Sequence, residues 1–206
     1  MLRRMDERTG LTSKATESGD QREVIAFLSD PRSYALDGER TSSVEVCQTH
    51  GALIFLAGDE AWKIKRAVRL AYLDFSTLAQ RSAAIHRELE INKPNAPEIY
   101  LEAVPITRRP EGGFAFGGPG EAVEWALKMR RFAQTDLLSH RAEVGPFPHT
   151  LSIALADAIA GLHARATIAT VASSAVQLKA VAESTAYTLR KTPSPTLAAA
   201  AGDLET

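Results

Sequence analysis

The stretch GDEAWKIKRAVRLAYLDFSTLAQR, residues 58–81, decides the fold of this chain. It opens with a turn, GDE, and continues as a strand in which polar and apolar residues alternate. Successive strand side chains point to opposite faces of a sheet, so Lys63 and Lys65 share one face, while Trp62 and Ile64 share the other. Because an ammonium group is strongly hydrated, two lysines on a half-buried strand require water or an anionic partner.

Two further strand-like runs precede this strand and make it the third of a meander. SVEVCQ (43–48) alternates, ALIFLA (52–57) is continuously apolar, and AWKIKRAV (61–68) alternates again. The short turns THG and GDE separate them, which predicts antiparallel pairing of neighbours.

Helices are predicted before and after the meander. In DQREVIAFLSDPRSY, apolar residues recur at helical spacing, Asp20 and Glu23 form a predicted capping box, and Pro31 ends the helix. STLAQRSAAIHRELEIN follows the meander, and its Ala, Leu, Glu and Arg content predicts a helix capped by Ser76 or Asp74.

The second half of the chain continues with strands and then with helices. YLEAVPITRR and GFAFGG predict a hairpin, and AVEWALKMRRF (122–132) predicts one more strand. From residue 148 the composition changes, and PHTLSIALADAIAGLHARA predicts an amphipathic helix capped by Thr150. AVQLKAVAESTAYTLRK predicts a last helix. The order of elements predicts an α+β protein whose antiparallel sheet has about five strands and one packed helix.

The bulk composition limits the class of protein. The 206 residues are 45% hydrophobic and 24% charged, with a net charge of −1, so no general attraction to nucleic acid or to an anionic membrane is expected. Cys47 is the only cysteine, which excludes an internal disulfide and favours a reducing, cytoplasmic location. No apolar run approaches the length of a membrane span, and the polar start of the sequence, which has no apolar segment, predicts no secretory signal there.

From about residue 22 to residue 166, the chain resembles the N-terminal part of the aminoglycoside-phosphotransferase-like domain. In particular, it resembles the bacterial proteins in which a P-loop ATPase domain follows such a domain. The resemblance is carried, in order, by VIAFLSDPRSY, IFLAGDEAWKIKRAVRLAYLDFSTLAQR, RELEINKPNAPEIYLEAVPIT, GGPGEAVEWALKMRRF and LADAIAGLHARA. It implies four parts: a flexible tail (1–20), a kinase-like small lobe with its hinge (21–132), a helical, incomplete large lobe (133–192) and a loose end (193–206).

The resemblance also implies an ATP site that binds the nucleotide with magnesium. Lys63 or Lys65 would grip a phosphate; Lys63 fits the family's strand better, but the pattern leaves both open. Glu88 would hold that lysine from the following helix, with Glu90 as the alternative. A strand lysine paired with a helix glutamate is the small-lobe arrangement of kinases.

Further site residues follow from the same resemblance. Gly51, in the turn THG, would lie at the tip of the loop that covers the phosphates. The segment LKMRRF would be the hinge, where the backbone from Arg130 to Phe132 would meet adenine and Met129 would be its apolar neighbour.

The catalytic part of the family pattern is missing. It requires His-Gly-Asp-x-x-x-x-Asn and a second, metal-binding Asp, but the only aspartate after residue 166 is Asp203, and no asparagine follows Asn95. We therefore expect this chain alone to be inactive as a phosphotransferase. The missing loop predicts either a truncated gene product or an intended short protein, and the resemblance does not specify the acceptor substrate.

Two other functions compete with nucleotide binding. The first is a non-catalytic module derived from the kinase fold that forms a homodimer or docks on a protein partner through exposed apolar surface. The second is nucleic-acid binding through the basic string Lys63, Lys65, Arg66 and Arg69; because exposed aromatic residues are not interleaved with it, no nucleic-acid partner is expected.

Overall fold

The computed structural model describes residues 3–4, 19–34, 41–70, 72–166, 168 and 174–191. Backbone contacts divide the chain into two units, Met1–His149 and Thr150–Thr206. The predicted loose end (193–206) and most of the predicted tail (1–20) lie outside the described residues.

The described residues contain nine strands and five α-helices, with two short 3₁₀ turns at Pro31–Tyr34 and Gln134–Asp136. The strands are β1 (Arg3–Arg4), β2 (Val44–Gln48), β3 (Ala52–Ala57), β4 (Glu60–Lys65), β5 (Arg69–Leu70), β6 (Leu73–Asp74), β7 (Tyr100–Arg108), β8 (Phe114–Phe116) and β9 (Ala122–Arg130). The helices are α1 (Gly19–Ser29), α2 (Leu78–Asn92), α3 (Leu138–Val144), α4 (His149–Arg165) and α5 (Ser174–Lys191).

One antiparallel sheet organises the first unit. Its strand order is β1-β2-β3-β4-β9-β7-β8, and all neighbours are antiparallel. The predicted meander is confirmed as β2, β3 and β4, which makes the α+β prediction correct. The sheet has seven strands where about five were predicted. The predicted hairpin is confirmed as β7 and β8, whereas β1, the separate hairpin of β5 and β6, and helix α3 were not predicted.

The two faces of this sheet differ in what covers them. On one face, Trp62 and Ile64 of β4 lie in the main core with Val24 and Leu28 of α1. The ring centroids of Trp62 and Phe116 are 4.2 Å apart. The opposite face carries Lys63 and Lys65 and is covered by α2. The alternation within β4 therefore separates a hydrophobic core from a charged site.

The helix starts differ from the predicted caps. Thr77 caps α2 because it is extended, at φ −106° and ψ 151°, and forms a capping box with Gln80, so the prediction of Ser76 or Asp74 was wrong. α1 begins at Gly19, which places Asp20 inside the helix instead of at the cap. Glu23, its predicted partner, instead lies 3.5 Å from Arg108.

A buried polar network joins α1, α2 and the sheet. Arg81 Nε of α2 lies 2.8 Å from Glu124 Oε2 of β9, and Gln21 of α1 donates to the same carboxylate oxygen at 2.9 Å. The Gln21 side-chain amide also donates to the carbonyl of Lys65 at 2.8 Å and accepts from the amide of Ala67 at 2.6 Å. The network therefore fixes the end of β4 and the start of α2 relative to each other.

The second unit is helical in its described part. α4 begins at His149, so Thr150 lies within the helix and is not its cap. The apolar stripe predicted for α4 is largely uncovered, with Ile159 and Leu162 exposed. In α5, Ala186 is buried, while Leu178 and Val181 are exposed. None of the helices in the described residues has the length and hydropathy needed to cross a membrane.

Candidate functional site

The two lysines of β4 share one glutamate of α2. Lys63 Nζ lies 2.6 Å from Glu88 Oε1, and Lys65 Nζ lies 2.6 Å from Glu88 Oε2. Period-two alternation puts both ammonium groups on the α2 face, and the capping box at Thr77 sets where α2 begins. Of the two predicted helix partners, Glu88 reaches the lysines, whereas Glu90 pairs with Arg87 on the exposed surface.

The environment of Glu88 keeps its carboxylate ionised. Burial by itself raises the pKa of Glu88. The hydrogen bonds and charges of Lys63 and Lys65 together lower the pKa by more than burial raises it, so the pKa lies below its usual value. Burial, together with the negative charge of Glu88, raises the pKa of Tyr100, which lies on β7. The site thus combines two cations and one anion.

Lys63 borders an apolar cavity of about 170 Å³. Cys47, Ile54, Leu56 and Ala61 line it from the meander strands. The rest of the lining is Tyr100 together with residues at and after the end of β9, namely Met129, Arg130, Arg131, Phe132 and Gln134. Four of the predicted site residues therefore meet at one cavity: Lys63, Met129, Arg130 and Phe132.

Two backbone N–H groups of the predicted hinge form hydrogen bonds within the protein. The amide of Arg130 donates to the carbonyl of Ile99 at 2.9 Å, and the amide of Arg131 donates to the carbonyl of Asp59 at 2.8 Å. These two N–H groups are therefore engaged within the protein, and the predicted contact of the backbone from Arg130 to Phe132 with adenine stays a prediction. Among the hydrogen bonds of the described residues, none involves the amide of Phe132.

Gly51 lies outside the cavity lining. Its carbonyl accepts from the amide of Arg66 at 2.9 Å, and a Cβ at position 51 would lie 2.7 Å from Cδ2 of Leu73. Close packing against the hairpin of β5 and β6 thus accounts for a glycine in this turn. Its predicted place above a phosphate stays a prediction.

The remaining cations of the basic string have partners within the chain. Arg66 donates to the carbonyls of Thr49 and His50, and Arg69 pairs with Asp74 at 3.4 Å. Glu88 also pairs with both lysines, so Glu88 and Asp74 together offset two of the four positive charges of the string.

A larger cleft of about 370 Å³ lies at the edge of the sheet around Phe27, Phe114 and Phe116. Two arginines line it, and both are exposed: Arg32, which is 91% exposed and pairs with Asp30 at 2.6 Å, and Arg109. The cleft is lined by no buried charged residue that would orient a ligand. The smaller cavity beside Lys63 is therefore the candidate site.

Three features of the site were missed from the sequence. Cys47 and Tyr100 line the cavity, and Lys65 shares Glu88 with Lys63. The last feature had a signal, because residues two apart on a strand share a face. Cys47 lies on the first strand of the predicted meander, whereas the contribution of Tyr100 depends on how β7 lies in the sheet, which local sequence does not indicate.

The described residues hold no group of three His, Cys, Asp or Glu side chains that would bind a metal ion. Glu88 is already neutralised by two ammonium groups.

Comparison with known proteins yields relatives but no family. Uncharacterized proteins Rv2004c and MT2060 of Mycobacterium tuberculosis, and Mb2027c of Mycobacterium bovis, are each 35% identical to this chain over 124 residues. The match covers 60% of this chain but only 23% of each relative, so the chain spans less than a quarter of their length. No family model and no solved structure matches the chain.

Proposed function

We propose that the first unit binds ATP in the cavity beside Lys63 and corresponds to the nucleotide-binding part of an ATP-dependent small-molecule phosphotransferase. One observation carries the proposal: a strand lysine that borders an apolar cavity is held by a helix glutamate, with 2.6 Å between Lys63 Nζ and Glu88 Oε1. Kinases hold the nucleotide phosphates with such a lysine–glutamate pair. The resemblance to the aminoglycoside-phosphotransferase-like domain supports the same reading.

The size and lining of the cavity suit a nucleobase. Pockets that enclose a whole drug-sized ligand typically measure about 300–1,000 Å³, whereas this cavity has about 170 Å³. We therefore assign the adenine ring to the cavity between Ile54, Ala61 and Met129, and the phosphates to the side of Lys63. The amide of Phe132 is the donor we assign to a ring nitrogen of adenine.

The proposal assigns binding, and not turnover, to this chain alone. The sequence lacks the family's catalytic loop, and the described residues hold no group of three candidate metal ligands. Magnesium enters this proposal only as the counter-ion of ATP. We expect no phosphoryl transfer from ATP to a small-molecule acceptor.

Calorimetric titration of the purified protein with Mg-ATP tests the proposal. We expect Lys63→Ala to weaken binding by about tenfold or more. Lys128→Ala is the matched control, because Lys128 pairs with Glu60 at 2.7 Å on the Trp62 face of the same sheet. The proposal is wrong if the folded protein does not bind ATP, or if both variants lose affinity equally.

A second candidate function is self-association without catalysis. It is favoured by the exposed apolar side chains of α5, where Leu178 is 71% and Val181 is 62% exposed. Light scattering tests it: a dimer that dissociates on Leu178→Ser with Val181→Ser supports this function, and a monomer at all concentrations excludes it.

A further inference from the structure

We infer that Lys65 is a positioning residue, which holds Glu88 in place so that Lys63 is free to bind the phosphates of the nucleotide. The inference rests on the proposed nucleotide-binding function and deepens it. It gives the two lysines, which share one face and one partner, different roles.

The surroundings of the two ammonium groups are unequal. Lys63 lines the cavity and its side chain is 22% exposed. Lys65 is 14% exposed, and its ammonium lies 5.4 Å from the ring centroid of Phe75, a cation–π contact. Lys63 is therefore the lysine that a ligand in the cavity reaches.

The backbone of Lys65 is also held. Its carbonyl accepts a hydrogen bond from the buried side chain of Gln21 at 2.8 Å, and Gln21 in turn is bonded to Glu124. The backbone carbonyl of Glu88 is held as well, because the side-chain amide of Asn92 donates to it at 2.8 Å. The backbone that carries the side chains of Lys65 and Glu88 is thus held at both positions.

Charge explains why a second lysine is useful. A single Lys–Glu pair is neutral, and moving its lysine to a phosphate would leave the carboxylate of Glu88, only 15% exposed, without a counter-ion. Lys63, Lys65 and Glu88 together carry a net charge of +1. Lys63 can therefore engage a phosphate while Lys65 continues to neutralise Glu88.

The same reasoning predicts a proton-linked effect when Lys65 is lost. Among the described residues, the charged or titratable groups that face Glu88 are Lys63 and Lys65 of β4 and Tyr100 of β7. Without Lys65, a phosphate drawn to Lys63 would face an unneutralised Glu88, which would then take up a proton.

The first experiment needs no nucleotide. We propose to follow the side-chain carboxyl carbon of Glu88 by NMR during a pH titration of Lys63→Met, which mimics a lysine diverted to a ligand. We expect the pKa of Glu88 to stay below its ordinary value, because Lys65 alone holds the carboxylate. In the double variant Lys63→Met, Lys65→Met, we expect it to rise above that value. A rise in the single variant overturns the inference.

The second experiment uses Mg-ATP. Calorimetry in two buffers of different ionisation enthalpy gives the protons taken up on binding. At about pH 6, we expect no uptake by the wild type, and for Lys65→Met we expect uptake together with a loss of affinity of about tenfold. Lys65→Arg should restore both values, because it keeps the positive charge, and Lys128→Met should change neither.

The outcomes separate this inference from the proposed function. A Lys65→Met variant that loses affinity without proton uptake has only a structural defect, and that result overturns the inference while ATP binding stands. A folded wild type that does not bind ATP overturns the proposed function and the ligand-binding role of Lys63. The NMR titration then still decides, by itself, whether Lys65 holds Glu88.

Discussion

Glu88 on α2 and Glu124 on β9 both face basic side chains, yet their pKa values shift in opposite directions. At Glu124, burial raises the pKa, and the charge of Arg81 with its accompanying hydrogen bonds offsets this only in part. At Glu88, burial acts in the same direction, but two lysines outweigh it. The side chain of Glu124 is 1% exposed, whereas that of Glu88 is 15% exposed.

The difference separates a structural network from a candidate binding site. Glu124 is enclosed by Gln21, Arg81 and the backbone of Trp125, and it lines neither the cavity beside Lys63 nor the cleft around Phe27. Glu88 is partly exposed to solvent and pairs with two lysines, one more than its single negative charge requires. Glu124 therefore has no partner that it can release, whereas Glu88 can release one lysine to a ligand and keep the other.

The largest effect is expected at the buried network. Glu124→Ala leaves Arg81 buried without a counter-ion, and we expect the free energy of unfolding to fall by about 3–5 kcal/mol. Urea denaturation measures the change. Glu23→Ala, which removes the exposed pair with Arg108, is the control, and it should cost less than about 1 kcal/mol. Similar losses for both variants would contradict the contrast between enclosed and exposed pairs.

Removing Glu88 should cost less stability. Glu88→Ala takes away two charged hydrogen bonds but leaves both lysines able to reach solvent, so we expect a loss of about 1.5–3 kcal/mol. The same denaturation experiment measures it. If Glu88→Ala destabilises the protein more than Glu124→Ala does, the contrast between the two carboxylates is wrong.

The pH dependence of the two variants should differ in sign. The folded pKa of Glu88 is lowered, so its contribution to stability is present above the ordinary glutamate pKa and is lost as the pH falls below it. The folded pKa of Glu124 is raised, so its contribution is present below the ordinary value and is lost as the pH rises through the raised value.

Unfolding free energies of the wild type, Glu88→Gln and Glu124→Gln across the acid range provide the test. Relative to Glu88→Gln, the wild type should gain stability as the pH rises toward the ordinary value. Relative to Glu124→Gln, it should lose stability as the pH rises above that value. Slopes of the same sign would show that the two carboxylates do not differ as described.

The smallest effect is expected at the start of α2, which carries Arg81 near its beginning and Glu88 near its end. Thr77→Ala removes the capping side chain and should cost about 1 kcal/mol. Ser76→Ala serves as the control and should be nearly neutral. In Thr77→Ala, α2 should fray from the end that has lost its cap, so hydrogen exchange should increase around Arg81 before it increases around Glu88. The reverse order would contradict the assignment of Thr77 as the cap.

Local sequence was sufficient for the elements that alternate or that contain strong turn signals. β3 matches its predicted bounds of 52–57, and the meander follows from the two short turns around it. Helix starts were predicted less well, because Asp74, Ser76 and Thr77 are all acceptable caps, and the choice depends on which of them has the extended backbone.

The sequence by itself determined that Lys63 and Lys65 share a face opposite Trp62 and Ile64, since side chains two apart on a strand always do. Only the tertiary structure decided that both lysines meet Glu88, because the rotation of α2 over the sheet depends on packing and on the bond between Arg81 and Glu124. The insertion of β9 between β4 and β7, which brings Met129 and Phe132 to Lys63, likewise depends on contacts between residues far apart in the chain.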